Sequence, residues 1–210
     1  MFEDRTDAGN RLADHLRTIG VEADIVLAIP RGALPVARPV ADALDAPLDV
    51  VVASKIGAPG NPELALGAVA SDGSIWLNDE LVARQRVDDA YLEREREREA
   101  AYAREKADQY RSTGQLPELT GKRVIVIDDG VATGATALAC LRLVRRAGAG
   151  TTILAVPVGS PGSLARLANE ADRVIALEQP MAFRAVGQYY RTFGQVSDEE
   201  AMSYLDPADR

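Results

Sequence analysis

The sequence predicts an α/β fold of the doubly wound class, with a mainly parallel sheet of about five core strands and helices on both faces. Three observations carry this. Short apolar runs alternate with segments of helical period, which is the pattern of successive βα units. The run Val124-Ile125-Val126-Ile127 is apolar throughout, as a strand covered on both faces must be. Asp128-Asp129, the small-residue stretch from Gly130 to Ala135 and a helical pattern follow it, so an acidic pair and a close-fitting loop sit at the carboxyl end of a buried strand.

The elements follow in order. Ala8, Leu12, Leu16 and Ile19 make one apolar stripe, predicting a helix from Arg5 to Thr18 that Gly20 ends. Asp24 to Ile29 reads as the first core strand and Pro30-Arg31-Gly32-Ala33-Leu34-Pro35 as the loop at its carboxyl end. A helix follows to about Leu44; Pro39 predicts that its regular hydrogen bonding starts only just before that residue. Leu48 to Ala53 is the second strand. The segment Lys55-Ile56-Gly57-Ala58-Pro59-Gly60-Asn61-Pro62-Glu63 is rich in Gly and Pro and reads as irregular loop, while Leu66 to Ala70 and Ser74 to Leu77 read as a hairpin about Asp72-Gly73. A long charged helix spans about Asp88 to Arg111. Its Glu/Arg run sets opposite charges at i,i+3, as in Glu93 with Arg96, and like charges at i,i+4, which suits a solvated face with little net electrostatic gain.

After the strand Val124 to Ile127 comes a helix from Thr133 to Ala147, closed by Arg145, Arg146 and Gly148. Thr152 to Pro157 and Arg173 to Leu177 are the last strands, and Ser160-Pro161 starts the helix between them. The tail from Glu178 gathers Phe183, Tyr189, Tyr190 and Phe193 in a chain only 5% aromatic. Residues 1–210 are expected to form a single domain, with an insertion at about 54–111 and a C-terminal hood at about 178–210.

Composition narrows the function. With 210 residues and 47% hydrophobic content, the chain can bury one substantial core. Its net charge of -8 argues against non-specific nucleic-acid binding. The single Cys140 falls on the apolar face of a helix and reads as a small buried hydrophobe, and one cysteine allows no disulfide within the chain. His15, the only histidine, is assigned no catalysis. The N-terminus is charged from the outset and no apolar run approaches membrane-spanning length, so a soluble cytoplasmic protein is expected, with no membrane partner.

The chemistry concentrates at Asp128 to Thr136. Small residues let the backbone curl around a ligand, and the helix that follows aims free N–H groups at the same place, which makes an anion cradle. Carboxylates on its rim repel a bare phosphate but accept hydrogen bonds from sugar hydroxyls and hold hydrated cations. The implied ligand is a sugar phosphate. A plain βα turn capped by Thr133 needs neither the acidic pair nor the glycine spacing. No Gly-x-x-x-x-Gly-Lys-Ser/Thr occurs, and Gly130 and Gly134 do not spell Gly-x-Gly-x-x-Gly. A receiver domain carries its acidic pair on the first strand, whereas two βα units precede this one.

Asp128-Asp129-Gly130-Val131-Ala132-Thr133-Gly134-Ala135-Thr136 resembles the fingerprint of the type I phosphoribosyltransferases, which bind phosphoribosyl pyrophosphate (PRPP). The resemblance implies that Gly130, Val131, Ala132, Thr133, Gly134, Ala135 and Thr136 hold the 5-phosphate, and that Asp128 and Asp129 act on the ribose hydroxyls. Mg2+, the expected cofactor, is held mainly by PRPP and its waters, with Asp128 and Asp129 as protein contacts. The loop after the first strand is similar to the family's pyrophosphate loop, which gives Arg31 and Gly32 to the leaving group, although Ala33 replaces a second glycine. The segment from Lys55 to about Leu77 takes the place of the family's mobile catalytic loop. It lacks the Ser-Tyr pair of purine salvage members and the two-lysine pattern of orotate members; Lys55 and Glu63 are its polar candidates. The Lys-Ile-Gly-Ala-Pro-Gly-Asn-Pro-Glu-Leu-Ala stretch is similar to that of a bacterial group without an assigned acceptor.

The implied activity is transfer of the 5-phosphoribosyl group from PRPP to a nitrogen acceptor, a nucleobase or related heterocycle, with Phe183 of the hood as acceptor platform. A PRPP-sensing regulator without turnover is the alternative class, and neither a DNA-binding motif nor a basic stripe supports it. PRPP and the acceptor are the expected small-molecule partners. A homodimer is the expected assembly, through the Tyr-bearing charged helix.

Overall fold

The computed structural model describes residues 1–111 and 116–205, apart from the side chains at 62 and 63. The last residues of the expected hood, 206–210, and the candidate side chain of Glu63 lie outside that description.

The elements run α1 (Arg5–Thr18), β1 (Ile25–Ala28), α2 (Leu34–Ala43), β2 (Leu48–Val50), β3 (Ala53–Ala58), β4 (Asn61–Ala70), β5 (Ile75–Leu77), α3 (Asp79–Gln85), α4 (Asp89–Tyr110), β6 (Arg123–Ile127), α5 (Ala135–Arg146), β7 (Thr151–Val158), α6 (Pro161–Leu167), β8 (Arg173–Glu178), a 3-10 turn (Val186–Tyr189) and α7 (Asp198–Ser203). Five strands form the core sheet in the order β2-β1-β6-β7-β8, all parallel. Helices flank it, as the alternating pattern predicts.

β1 pairs directly with β6, in the register Ile25↔Val124 through Ala28↔Ile127. The chain first winds outward from β1 to β2 and later from β6 to β7 and β8, so the winding reverses between β1 and β6. At that point the loops leaving two neighbouring strands diverge and open a crevice. Val26, Leu27 and Ala28, like Val124 through Ile127, are fully buried, which is why both strands read as unbroken apolar runs. Cys140 is buried in α5 with its thiol 3.7 Å from the Val51 carbonyl, and burial pushes that thiol up.

Two expectations need correction. α2 starts at Leu34, well before Pro39, with the Ala37 N–H already donating to the Ala33 carbonyl at 2.8 Å. Pro35 lies in the first turn, where no partner is required, and Pro39 lies inside the helix, which continues past it to Ala43 without the bond its own N–H would have made.

The segment read as irregular is also regular: β3, β4 and β5 form an antiparallel sheet of their own. Ala58 pairs with Asn61 across Pro59-Gly60, with Gly60 at φ +73°. Proline first and a left-handed glycine second make a tight reversal, so the Gly and Pro mark a turn and not a long loop. This sheet is sandwiched. Ile56, Leu66 and Val69 pack on Leu92 and Ala100 of α4, while Ala68 packs on Ala135 and Ala139 of α5.

The charged helix α4 forms as predicted, capped by Asp88, whose side chain accepts from the Tyr91 N–H at 2.7 Å. Its exposed side carries the expected Glu93–Arg96 pair at 2.9 Å. The tyrosines expected to meet a second copy are partly spent within the chain: Tyr91 donates to the Gly57 carbonyl and Tyr110 to Asp198. Tyr102 remains exposed.

Candidate active site

The crevice between β1 and β6 brings together Arg31-Gly32 and Asp128-Asp129, as the sequence predicts. The contact is close: a Cβ placed on Gly32 would lie 2.3 Å from Asp129 Oδ2. Only a residue without a side chain lets the two loops meet there. Arg31 extends toward the tail, with Nη1 3.5 Å from Asp198 Oδ2.

The acidic pair is largely enclosed. Burial pushes the Asp128 carboxyl well above its usual range, and the neighbouring Asp129 adds to that push. Burial also raises Asp129, against the opposing pull of Arg5. Desolvation thus outweighs the stabilising contacts, which are the Asp129 N–H on Asp128 Oδ1 at 2.9 Å and the Arg5 Nε–H on Asp129 Oδ2 at 2.8 Å.

Arg5 escapes the sequence reading. It stands at the start of α1, far from β6 in the chain, and no spacing rule joins it to Asp129. In the fold its guanidinium also donates to the Gly194 carbonyl at 2.7 Å and lies 3.8 Å from the centre of the Phe193 ring. Tyr190 is likewise drawn in, buried, with its hydroxyl donating to the Asp129 carbonyl at 2.5 Å. The aromatic tail therefore folds back on the acidic pair, and an added Cβ at Gly130 would strike Val186 of the 3-10 turn at 2.4 Å.

Within the cradle the residues divide. Val131 is buried and its N–H donates to the Val158 carbonyl, so this residue ties the loop to β7 and its N–H is not free for a phosphate. Ala132 and Thr133 are exposed residues on the rim, braced from behind: Ser160 and Ser163 hydroxyls donate to the Ala132 carbonyl at 2.9 and 2.6 Å, and Arg166 to that of Thr133. Gly134 caps α5 with φ +73°, a left-handed conformation that suits glycine. The helix proper starts at Ala135, leaving the N–H groups of Ala135 and Thr136 without partners in their own helix.

Lys55 lies on β3 and not on a loop. Strand alternation and its pairing with Ala68 put it on the face of the antiparallel sheet that packs on α5 near Ala135. It also lines a cavity of about 570 Å³ with Ser54, Gly57, Tyr91, Glu95 and Glu99, to which residues 128–136 contribute nothing. Phe183 is half-buried and stacks on Tyr189 at 5.3 Å between centroids. Tyr190 is packed into the fold.

The sequence profile of the phosphoribosyl transferase domain matches residues 5–191. The chain belongs to that family. Over all 210 residues it is 43% identical to a Mycobacterium tuberculosis protein whose name carries the phosphoribosyl transferase assignment provisionally. The chain spans about half the length of the curated relatives it matches, covering 47% of them. It is also similar to the crystal structure of a Thermus thermophilus protein, with TM-score 0.81, 44% identity and 97% of each chain covered. An Aquifex aeolicus protein at 16% identity and TM-score 0.50, with 82% of this chain and 73% of that one covered, shares the fold alone.

Proposed function

We propose that this chain, as a single domain, transfers the 5-phosphoribosyl group of PRPP to a ring nitrogen of a nucleobase or related heterocycle, releasing pyrophosphate. The observation that supports this best is the close approach of Gly32 to Asp129, which sets the loops after β1 and β6 side by side in one crevice. In this reading the backbone of Ala132 to Thr136 takes the 5-phosphate, Asp128 and Asp129 accept from the ribose hydroxyls, and Arg31 with the Gly32 backbone faces the pyrophosphate. Phe183 is assigned to the acceptor side. Lys55 is assigned its role from the sheet face that packs on α5.

The acceptor nitrogen forms a bond to the anomeric carbon while the bond from that carbon to pyrophosphate breaks and the electron pair leaves with the pyrophosphate. Positive character develops on the sugar during this exchange, so placement of charge matters more than a covalent nucleophile. Two carboxylates beneath the ribose favour that charge. Magnesium bound with PRPP supplies neutralisation of the departing pyrophosphate. Among the described residues no group of three or more His, Cys, Asp or Glu is set to hold a metal; Asp128 and Asp129 would be the protein contacts of an ion that PRPP carries.

Calorimetry with PRPP and magnesium, followed by pyrophosphate release across a panel of heterocyclic acceptors, tests the reading. Gly134→Val strains the left-handed cap and crowds the cradle, so ribose 5-phosphate should no longer protect that variant against thermal unfolding. Equal protection of both proteins would remove the cradle from the proposal. PRPP binding without turnover on any acceptor would leave a sensor in place of an enzyme.

A further inference from the structure

Asp198, in the first turn of α7, sits where three donors from two distant parts of the chain converge. Arg31 Nη1 lies 3.5 Å from its Oδ2. Lys106 Nζ of α4 lies 3.7 Å from its Oδ1, and the Tyr110 hydroxyl, one helical turn further along α4, donates to the same oxygen at 2.8 Å. The Tyr110 hydroxyl bond, followed by Lys106 and Arg31, holds the Asp198 carboxyl below its usual range. Burial and the Asp198 bond push the Tyr110 hydroxyl up, so it remains a donor.

The charges around that carboxylate are unequal. Two cations and a hydroxyl face one monoanion that is itself 46% exposed, whereas Lys106 is held in place at 19% exposure. A cluster that leaves a net positive charge around a single displaceable carboxylate is built for a more highly charged anion. One of its cations is the arginine of the pyrophosphate loop. We infer that Lys106 and Tyr110 complete the pyrophosphate seat with Arg31, and that Asp198 closes this seat as an intramolecular competitor which pyrophosphate displaces. The inference rests on the proposed role of Arg31. It adds a cation from the insertion and a gate from the C-terminal helix.

Inorganic pyrophosphate with magnesium is titrated calorimetrically into the wild type, Asp198→Asn, Lys106→Gln and the double variant, with ribose 5-phosphate titrated alongside. Asp198→Asn should bind pyrophosphate about fivefold more tightly, because a competing ion pair on a half-exposed surface is gone. Lys106→Gln should weaken pyrophosphate about fivefold in either background, while ribose 5-phosphate affinity stays the same in all four proteins. Folded Asp198→Asn with unchanged or weaker pyrophosphate binding would overturn the gate; unchanged binding in Lys106→Gln would overturn the second cation. Should Asp198→Asn fail to fold, Asp198→Ser, which keeps a small polar residue in the first turn, gives the same readout. Failure of ribose 5-phosphate to bind the wild type, with the pyrophosphate pattern intact, would count against the transferase reading and not against the seat.

Discussion

The Arg5 guanidinium donates from Nε to Asp129 Oδ2 at 2.8 Å, with both side chains mostly buried, 13% and 16% exposed. This one pair joins the first helix, the acidic strand end and, through Phe193 and Gly194, the folded-back tail. Arg5→Gln leaves a carboxylate enclosed without its cation, which costs about 3 kcal/mol where such a pair is buried. Chemical denaturation should show a loss of that order, together with weaker PRPP binding. Arg5→Lys should recover only part of both, since an ammonium cannot serve Asp129, Gly194 and the Phe193 face at once. Full recovery by lysine would reduce the role of Arg5 to bare charge.

Gly32 is fixed by the neighbour it touches. A methyl group at this position would meet Asp129 Oδ2 at 2.3 Å and Asp129 Cγ at 3.0 Å, and Arg5 holds that carboxylate in place. Gly32→Ala should therefore displace Asp129 and weaken PRPP binding by about tenfold or more, an effect of misplacement and not of lost charge. Thermal unfolding of the ligand-free variant should change far less than its affinity. A variant that binds PRPP as the wild type does would show that Asp129 position is irrelevant to the ligand.

The Asp128 carboxyl gives a pH signature. Its folded-state value is raised well above the ordinary 3.8, first by burial and then by Asp129. A value raised on folding means that this group's contribution is fully present below about 3.8 and is lost as pH rises through the folded value, because the buried carboxyl must then ionise. Asp128→Asn abolishes that ionisation. Urea midpoints of ligand-free wild type and variant, compared between about pH 4 and pH 8, should shift progressively in the variant's favour. A flat difference between the two proteins would mean that Asp128 is already ionised at the acid end.

Phe183 separates packing from recognition. It is half-buried, stacked on Tyr189 in the cluster that includes Phe2 and Tyr190. As an acceptor platform its removal raises the acceptor's KM and leaves PRPP affinity alone. Phe183→Ala should thus show a higher acceptor KM with a melting temperature within a few degrees of wild type. A large drop in melting temperature with KM unmoved would make it a packing residue, and Phe193, exposed beside Arg5, would be the next ring to test.

Local chemistry made much of this protein legible in its sequence. The run Val124 to Ile127 announces a doubly covered strand because burial on both faces leaves no polar position, and the small residues after Asp129 announce close backbone approach because nothing larger permits it. The stripe of α1 and the Asp88 cap of α4 are equally local, and their boundaries agree with expectation to within a residue or two. Pro59-Gly60 misled because the same residue types serve a long loop and a tight hairpin; only the pairing of Ala58 with Asn61 distinguishes the two.

What the sequence could not show is which distant groups share a site. Arg5 and Asp129 are separated by 124 positions, and Arg31, the α4 pair Lys106 and Tyr110, and Asp198 come from three segments that no periodicity relates. Their meeting depends on the parallel pairing of β1 with β6 and on the tail folding back over the crevice. The sequence by itself determined the strand, the acidic pair and the small-residue loop after it, since each is written in consecutive residues under steric and burial constraints. The tertiary structure alone decided the partners of those carboxylates, because ion pairing depends on distance in space, and that distance is set by the packing of the whole chain.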